Sequence, residues 1–183
     1  QSHTSIDLDA QYTQQLLELI EKSSIVILSD YQKGFFANPQ QFITHARAHN
    51  IPVVVDPTDN DFTKYRVATL LTPNRSEFEA IVGTTSSEDD LLARAEQLRT
   101  DLNLDALLIT RSEEGMTLIQ KNEAPFTIPA KAQDVYDVTG AGDTVIATLV
   151  AMMAEGKPLT EATTIANIAA SIVVGKLGAS QVS

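Results

Sequence analysis

Short apolar runs alternate with longer, helix-like stretches along almost the whole chain. Four of the short runs are rich in aliphatic, often β-branched residues and end near polar residues or proline, a pattern typical of buried strands. These four runs lie at 25–28, 53–55, 69–72 and 106–109. Two further runs, at 116–120 and 125–129, are close enough in sequence to predict a hairpin-like pair.

The stretches between the predicted strands have helical patterns and recognisable ends. Helices are predicted at 39–49, 74–82, 87–101, about 141–155 and about 160–175, after a first helix that precedes residue 25. Asn38 followed by Pro39 is typical of a helix N-terminus. Gly156 predicts the end of the helix at about 141–155, and a glycine stop near Gly178 predicts the end of the last helix.

Strand and helix in alternation predict parallel βαβ units. The expected fold class is therefore α/β, with a mainly parallel sheet between two helical layers in a three-layer α/β/α sandwich. In such sheets ligands collect at the carboxyl ends of the strands. The polar residues that follow the predicted strands there are Ser29-Asp30, Asp56, Thr72-Pro73-Asn74 and Thr110-Arg111.

Composition narrows the function classes. The 183 residues carry a net charge of −11, which argues against a nucleic-acid partner or an anionic membrane surface. The absence of cysteine excludes disulfides and thiolate metal sites. Because the chain shows neither a membrane-length apolar run nor a signal peptide at its first residue, we expect a soluble cytoplasmic domain that binds small molecules.

One segment carries most of the chemical signal. Residues 137–143 read Asp-Val-Thr-Gly-Ala-Gly-Asp and stand directly before a long apolar helix. Glycines at a helix entrance let unpaired backbone amides approach an anion such as phosphate. Asp143, beside that site, could then accept a proton from an attacking hydroxyl. The alternative is an ordinary turn into a helix, with an acidic residue that favours the helix dipole.

Two other pairs have both a structural and a functional interpretation. Asn74 and Glu77 lie three residues apart at a predicted helix start, so they could cap that helix or face a metal-phosphate together. Asp30 and Lys33 follow the first predicted strand, where they could contact substrate or form an exposed ion pair that contributes little. The residues alone leave both alternatives open in each case.

The 137–143 segment resembles the D-x-x-G-A-G-D signature of the ribokinase-like (PfkB) carbohydrate kinases. The resemblance implies that Asp143 is the catalytic base and that Gly140, Ala141 and Gly142 form the anion hole for the transferred phosphoryl group. ATP and Mg²⁺ are the implied cofactors. Asn74 and Glu77 match the family's N-x-x-E motif, which organises Mg²⁺ and the phosphates.

Further positions follow from the same resemblance. The family's T-x-x-x-x-G segment along the nucleotide phosphates matches Thr110 and Gly115, with Arg111 and Ser112 between them as contacts. On the last helix, Asn167 among small residues would border the adenine ring, although simple helix packing explains the same residues. Backbone oxygens that could hold a monovalent cation, K⁺, would belong to Asp137, Thr139 and Gly178.

Five segments are similar in order and spacing to one branch of the family, the bacterial heptose 7-phosphate kinases of ADP-heptose synthesis: S-D-Y-x-K-G at 29–34, V-D-P at 55–57, L-T-P-N-x-S-E-F-E at 71–79, V-Y-D-V-T-G-A-G-D-T-V at 135–145 and V-V-G-K-L-G at 173–178. This resemblance implies transfer of phosphate to O1 of D-glycero-β-D-manno-heptose 7-phosphate, a step toward the lipopolysaccharide core, with Asp30 and Lys33 on the substrate side. One departure is Thr58, which stands where that branch usually has lysine. Lys33, Lys64 or Arg66 would then have to neutralise phosphate charge.

The family's G-G-x-x-x-N segment, which carries most sugar contacts and the lid, has no match. Residues 1–183 are therefore interpreted as the C-terminal, nucleotide-binding portion of a ribokinase-like kinase domain, expected to be a weak or inactive kinase alone. A homodimer is expected through the parent protein. A kinase for another sugar and a non-catalytic nucleotide-binding fragment are the alternatives.

Overall fold

The computed structural model describes residues 2–29, 38–58, 60–130 and 139–180, with side chains over 10–29, 38–58, 60–130 and 142–172. Three residues of the sequence prediction, Asp30, Lys33 and Asp137, lie outside the described residues. The elements are, in chain order, α1 (Ser2–Glu21), β1 (Val26–Ser29), α2 (Gln40–Ala48), β2 (Val53–Asp56), β3 (Leu70–Leu71), α3 (Arg75–Val82), α4 (Glu88–Asp101), β4 (Ala106–Thr110), β5 (Met116–Gln120), β6 (Phe126–Ile128), α5 (Thr139–Ala154) and α6 (Leu159–Ser180). Two 3₁₀ turns lie at Thr63–Tyr65 and Ser112–Glu114.

The strands form one mixed sheet in the order β1-β2-β3-β4-β5-β6. β1 to β4 pair in parallel, whereas β5 pairs antiparallel with both β4 and β6. The predicted α/β class, the four parallel strands and the hairpin are confirmed. Parallel neighbours in sequential order require crossovers of one hand, so the helices between β1 and β4 lie on the same face of the sheet.

Strand side chains alternate between two separate hydrophobic clusters. Val53 and Val55 pack in the cluster that includes α1, α2, α3 and α4, while Val54 between them packs in the cluster with α5 and α6. In β4, Leu107 and Leu108 divide in the same way. Helices therefore cover both faces of the sheet, which gives the predicted three layers.

Helix ends follow local capping chemistry. The Asn38 Oδ1 atom accepts a hydrogen bond from the Gln40 backbone at 3.1 Å, and Ser87 Oγ accepts from the Asp90 backbone at 3.1 Å at the start of α4. The predicted helix end at Gly178 was wrong, since α6 continues to Ser180. One glycine inside a helix costs only about 1 kcal/mol relative to alanine, so it does not by itself end the helix. Within the described part of the chain, no helix combines the length and the hydrophobicity needed to cross a membrane.

Candidate active site

Polar residues from several elements meet at the carboxyl edge of the parallel strands. Ser29 and Asp56 stand side by side as the last registered pair of β1 and β2. Asn74 forms a parallel bridge with Thr110, and the Thr110 amide donates to the Pro73 carbonyl at 3.1 Å. The chain therefore brings the predicted Asn74 and Thr110 together beyond the ends of β3 and β4.

A carboxylate cluster lies at this edge. Burial, followed by the negative charges of Glu77 and Asp143, raises the pKa of Asp56 from its ordinary value of 3.8 to about 6. The three carboxylates come from the end of β2, the first turn of α3 and the beginning of α5. Because the charges of Glu77 and Asp143 act on the partly buried Asp56, this carboxyl group favours a proton or a nearby cation.

Asp56 was placed at the end of a predicted strand in the sequence analysis but was assigned no functional role there. It directly follows three buried valines and precedes Pro57, so it stands at a strand end facing the ligand edge. What the sequence did not show is the partial burial of its carboxyl group and the effect of two other acids on it. An acid with a perturbed pKa in such a position is a candidate functional residue.

Asn74 and Glu77 form a complete capping box at the start of α3. Asn74 Oδ1 accepts from the Glu77 amide at 2.7 Å, and Glu77 Oε1 accepts from the Asn74 amide at 2.8 Å. Burial raises the pKa of Glu77, while the bond from the Asn74 backbone opposes this shift. The cap uses one carboxylate oxygen of Glu77, so capping and a ligand role are compatible in the same residue.

The beginning of α5 places backbone amides close to this cluster. α5 starts at Thr139, so Thr139, Gly140, Ala141 and Gly142 form its first turn, whose amides have no partner within the helix. Asp143 follows directly and is exposed, with its charge acting on Asp56. This arrangement could receive an anion at the amides and deprotonate a hydroxyl at Asp143.

Packing does not explain the glycine at 142. A Cβ atom built on Gly142 would meet no atom of the described residues within 4 Å. The residue lies in a helix, where alanine is intrinsically more favourable than glycine. Among the described residues, none fills the space beside Gly142, which is compatible with the anion-hole interpretation.

An open groove of about 570 Å³ runs beside Asn74 and the turn after β4. The predicted nucleotide contacts Thr110, Arg111 and Ser112 contribute to its lining. Gly115 ends this turn with a φ of +88°, and a Cβ there would approach the Ile128 carbonyl oxygen to 1.8 Å. Its glycine is thus required by the close approach of the turn to β6.

Arg111 lines the groove with its guanidinium turned into the protein. The side chain is 5% exposed and pairs with Glu88 at 2.6 Å and Glu114 at 2.7 Å. Its Nη1 also donates to Thr117 Oγ1 at 3.1 Å. The hydrogen bonds from Arg111 lower the pKa of Glu88. A nucleotide phosphate would have to compete with both carboxylates for this guanidinium.

The Asn167 side chain also makes its contacts within the protein. It is buried, and its Nδ2 atom donates to the Pro129 carbonyl at 3.0 Å, which ties α6 to the segment after β6. Ala166 beside it packs in the same hydrophobic cluster as Val54 and Leu108. The observed contacts are those of the helix-packing alternative.

Comparison with known proteins identifies the family of this chain. The pfkB family carbohydrate kinase model matches residues 6–183. The chain belongs to this family. A bifunctional protein HldE of Proteus mirabilis is 54% identical over 170 residues, 93% of this chain and 36% of the relative. HldE proteins of Shewanella amazonensis and Histophilus somni are 57% and 52% identical, over 90% and 98% of this chain. The chain spans about a third of the length of these relatives.

Solved structures agree on the ribokinase-like fold. Arabidopsis thaliana ribokinase, solved with ribose and ATP, superposes with a TM-score of 0.72 at 25% identity, covering 85% of this chain and 51% of that one. Phosphofructokinase-2 from Escherichia coli, in complex with potassium, gives a TM-score of 0.71 at 19% identity, covering 86% and 54%. This pfkB-family chain therefore corresponds to about half of each solved kinase chain.

Proposed function

We propose that this chain is the nucleotide-binding portion of an ATP-dependent kinase that phosphorylates D-glycero-β-D-manno-heptose 7-phosphate at O1. The observation that carries the proposal is that the charges of Glu77 and Asp143 reach the partly buried Asp56 at the strand edge, with Asp143 directly after the first turn of α5. The substrate follows from the similarity to bifunctional HldE proteins and from the motif order of the heptose 7-phosphate branch.

In the proposed reaction, Asp143 takes the proton of the sugar O1 hydroxyl as that oxygen attacks the γ-phosphorus of ATP. The bond between the γ-phosphorus and the β–γ bridging oxygen breaks, and ADP leaves. The amides of Gly140, Ala141 and Gly142 stabilise the charge on the transferred group. The exposure of Asp143 allows the hydroxyl to reach it.

The acidic cluster fits a magnesium ion in its donor chemistry, since Mg²⁺ prefers carboxylate oxygens together with phosphates. Glu77, positioned by Asn74, and Asp56 would hold it, and the ion would neutralise phosphate charge. K⁺ would be held by backbone oxygens of Asp137, Thr139 and Gly178. The Gly178 carbonyl lies in the last turn of α6, where carbonyls lack helical donors.

Thr110 and Ser112 would contact the nucleotide phosphates along the groove. On the sugar side, Asp30 and Lys33 remain the proposed contacts. Thr58 stands where the heptose branch usually has lysine, so another cation must face the phosphate of the substrate. Lys64 is one of the three candidates named from the sequence. Its Nζ atom lies 5.3 Å from the centroid of the Tyr65 ring, in a cation–π contact.

The test compares Asp143→Asn with wild type in the parent protein that contains this chain. We expect the rate of ATP-dependent phosphorylation of the heptose 7-phosphate to fall by about 10²-fold or more, with ATP affinity within a few-fold of wild type. Asp89→Asn, an exposed acid in the first turn of α4, is the matched control and should leave the rate unchanged.

Other outcomes separate the alternatives. A higher kcat/KM for another sugar phosphate would replace the proposed substrate but keep the kinase. ATP binding without turnover of any sugar would favour a non-catalytic nucleotide-binding protein. An unchanged rate in Asp143→Asn would remove this residue as the base.

A further inference from the structure

Two histidines and a glutamate meet where the ends of α1 and α2 pack together. Glu21 is the last residue of α1, His45 lies in the last turn of α2, and His49 is the C-cap of that helix. Glu21 Oε1 lies 2.9 Å from His45 Nε2 and 3.7 Å from His49 Nε2. One potential ligand atom of each residue lies within 4.8 Å of the other two.

The backbone sets the tautomer of His49. Its Nδ1 atom lies 2.8 Å from the His45 carbonyl oxygen, and because a carbonyl only accepts, Nδ1 must donate. Neutral His49 therefore has its lone pair on Nε2, the atom that faces Glu21. A hydrogen bond from the other ring nitrogen to a backbone carbonyl is how proteins commonly orient histidine ligands of metals.

The spacing suits a small divalent cation. Zn²⁺ binds histidine nitrogen and carboxylate oxygen at about 2.0–2.2 Å in a tetrahedron, which places ligand atoms roughly 3.3–3.5 Å apart. The observed separations of 2.9 and 3.7 Å lie on either side of this value. The side chains are 25–43% exposed, so an ion can enter and water can take the fourth position.

We propose that Glu21, His45 and His49 form a zinc site that joins the end of α1 to the end of α2. On binding, the proton of neutral His45 moves by way of solvent from Nε2 to Nδ1, so that the ring stays neutral and its Nε2 lone pair binds Zn²⁺ in place of the hydrogen bond to Glu21. Zn²⁺ is favoured over Mg²⁺ because imidazole nitrogen is a ligand of the former and not of the latter.

The site is separate from the carboxylate cluster of Asp56, Glu77 and Asp143. α2 connects two parallel strands, so it runs opposite to them and ends near the beginning of β2. His45 and His49 therefore lie toward the opposite edge of the sheet from Asp143. The zinc proposal does not depend on the proposed kinase function, and its test needs no measurement of activity.

The first measurement is calorimetric titration of the untagged 183-residue protein with ZnSO₄ in buffer that contains excess Mg²⁺. We expect one Zn²⁺ per chain. His45→Gln, His49→Gln and Glu21→Gln should each weaken binding by more than about tenfold, since loss of a ligand costs at least as much as loss of its orienting partner. His3→Gln is the matched control and should bind like wild type.

A second measurement distinguishes coordination at this site from nonspecific metal binding. Co²⁺ in place of Zn²⁺ should give the intense visible absorption of a tetrahedral site in wild type, and this absorption should be lost in the His45→Gln/His49→Gln double variant. Circular dichroism verifies that each variant is folded. Absence of stoichiometric binding by folded wild type, or undiminished binding by the double variant, would overturn the proposal. Full affinity in Glu21→Gln would overturn the assignment of Glu21.

Discussion

Glu77 and Asn74 hold each other at the start of α3 through two reciprocal hydrogen bonds, of 2.8 and 2.7 Å, between side chain and backbone. The same carboxyl group contributes to the charge that raises the pKa of Asp56. One residue thus stabilises a helix end and adds to the electrostatic field of the candidate site. The capping and the metal-organising interpretations of this pair can be separated by substitution.

Glu77→Gln should preserve the cap but weaken binding of an Mg²⁺–ATP analogue, because the glutamine oxygen still accepts from Asn74 while the charge is lost. The free energy of unfolding, measured with urea, should change by less than about 0.5 kcal/mol. Calorimetric titration should show the weaker binding of the nucleotide analogue. Ser87→Ala is the matched control, because it removes the side-chain cap of α4. It should cost about 1 kcal/mol of stability with no effect on the nucleotide. Equal nucleotide affinity in Glu77→Gln and wild type would contradict the metal role.

Asp56 should make the fold less stable as pH rises from about 4 to about 6. The folded carboxyl has its pKa raised to about 6 from 3.8, so over that range the folded protein binds more protons than the unfolded chain. Asp56→Asn removes this penalty. We expect the variant to gain about 1–2 kcal/mol at pH 7.5, after allowance for solvent screening of a partly exposed group.

The measurement is urea unfolding of wild type and Asp56→Asn at several pH values. Their difference should shrink as the pH falls and approach zero near pH 3, below both pKa values, where the wild-type carboxyl is protonated in both states. A gain that is constant from pH 4 to pH 7.5 would show that packing, and not charge, explains it.

Gly142→Ala should leave stability unchanged or raise it by up to about 1 kcal/mol, because the new methyl meets no neighbour in the described part of the chain and alanine favours the helix. Binding of the Mg²⁺–ATP analogue should weaken, because the methyl would occupy space beside the first-turn amides. Gly156→Ala is the control. Its φ of +78° predicts a loss of about 1 kcal/mol without any change in nucleotide binding. Normal nucleotide affinity in Gly142→Ala would count against the anion hole.

Arg111→Lys should cost about 1–3 kcal/mol of stability, because lysine cannot reproduce the paired bonds to Glu88 in a buried position. If the guanidinium serves only the protein, nucleotide affinity should stay within a few-fold of wild type. Arg99→Lys is the matched control, since Arg99 is also buried and pairs with Glu96 at 2.6 Å. A loss of nucleotide affinity in Arg111→Lys alone would restore Arg111 as a phosphate contact.

Local patterns predicted most of the fold. The helix starts at Gln40 and Glu88 follow from polar residues that cap the backbone within a few positions, and the buried strands follow from runs such as the three valines of β2. The predicted end of α6 was wrong because a glycine near a helix end is only a weak local signal. The meeting of Asn74 and Thr110 was also predictable, since parallel strands end at one edge.

The sequence by itself determined the α/β class, the order of the elements and the set of residues at the strand ends, because hydrophobic periodicity and capping act over a few residues. Only the tertiary structure decided how those residues are used. Arg111 is turned toward Glu88, 23 positions away, and Asn167 toward Pro129, 38 positions away. Contacts at such separations, like the charges around Asp56 and the meeting of Glu21 with His45, depend on how whole helices pack against the sheet, and no local pattern encodes them.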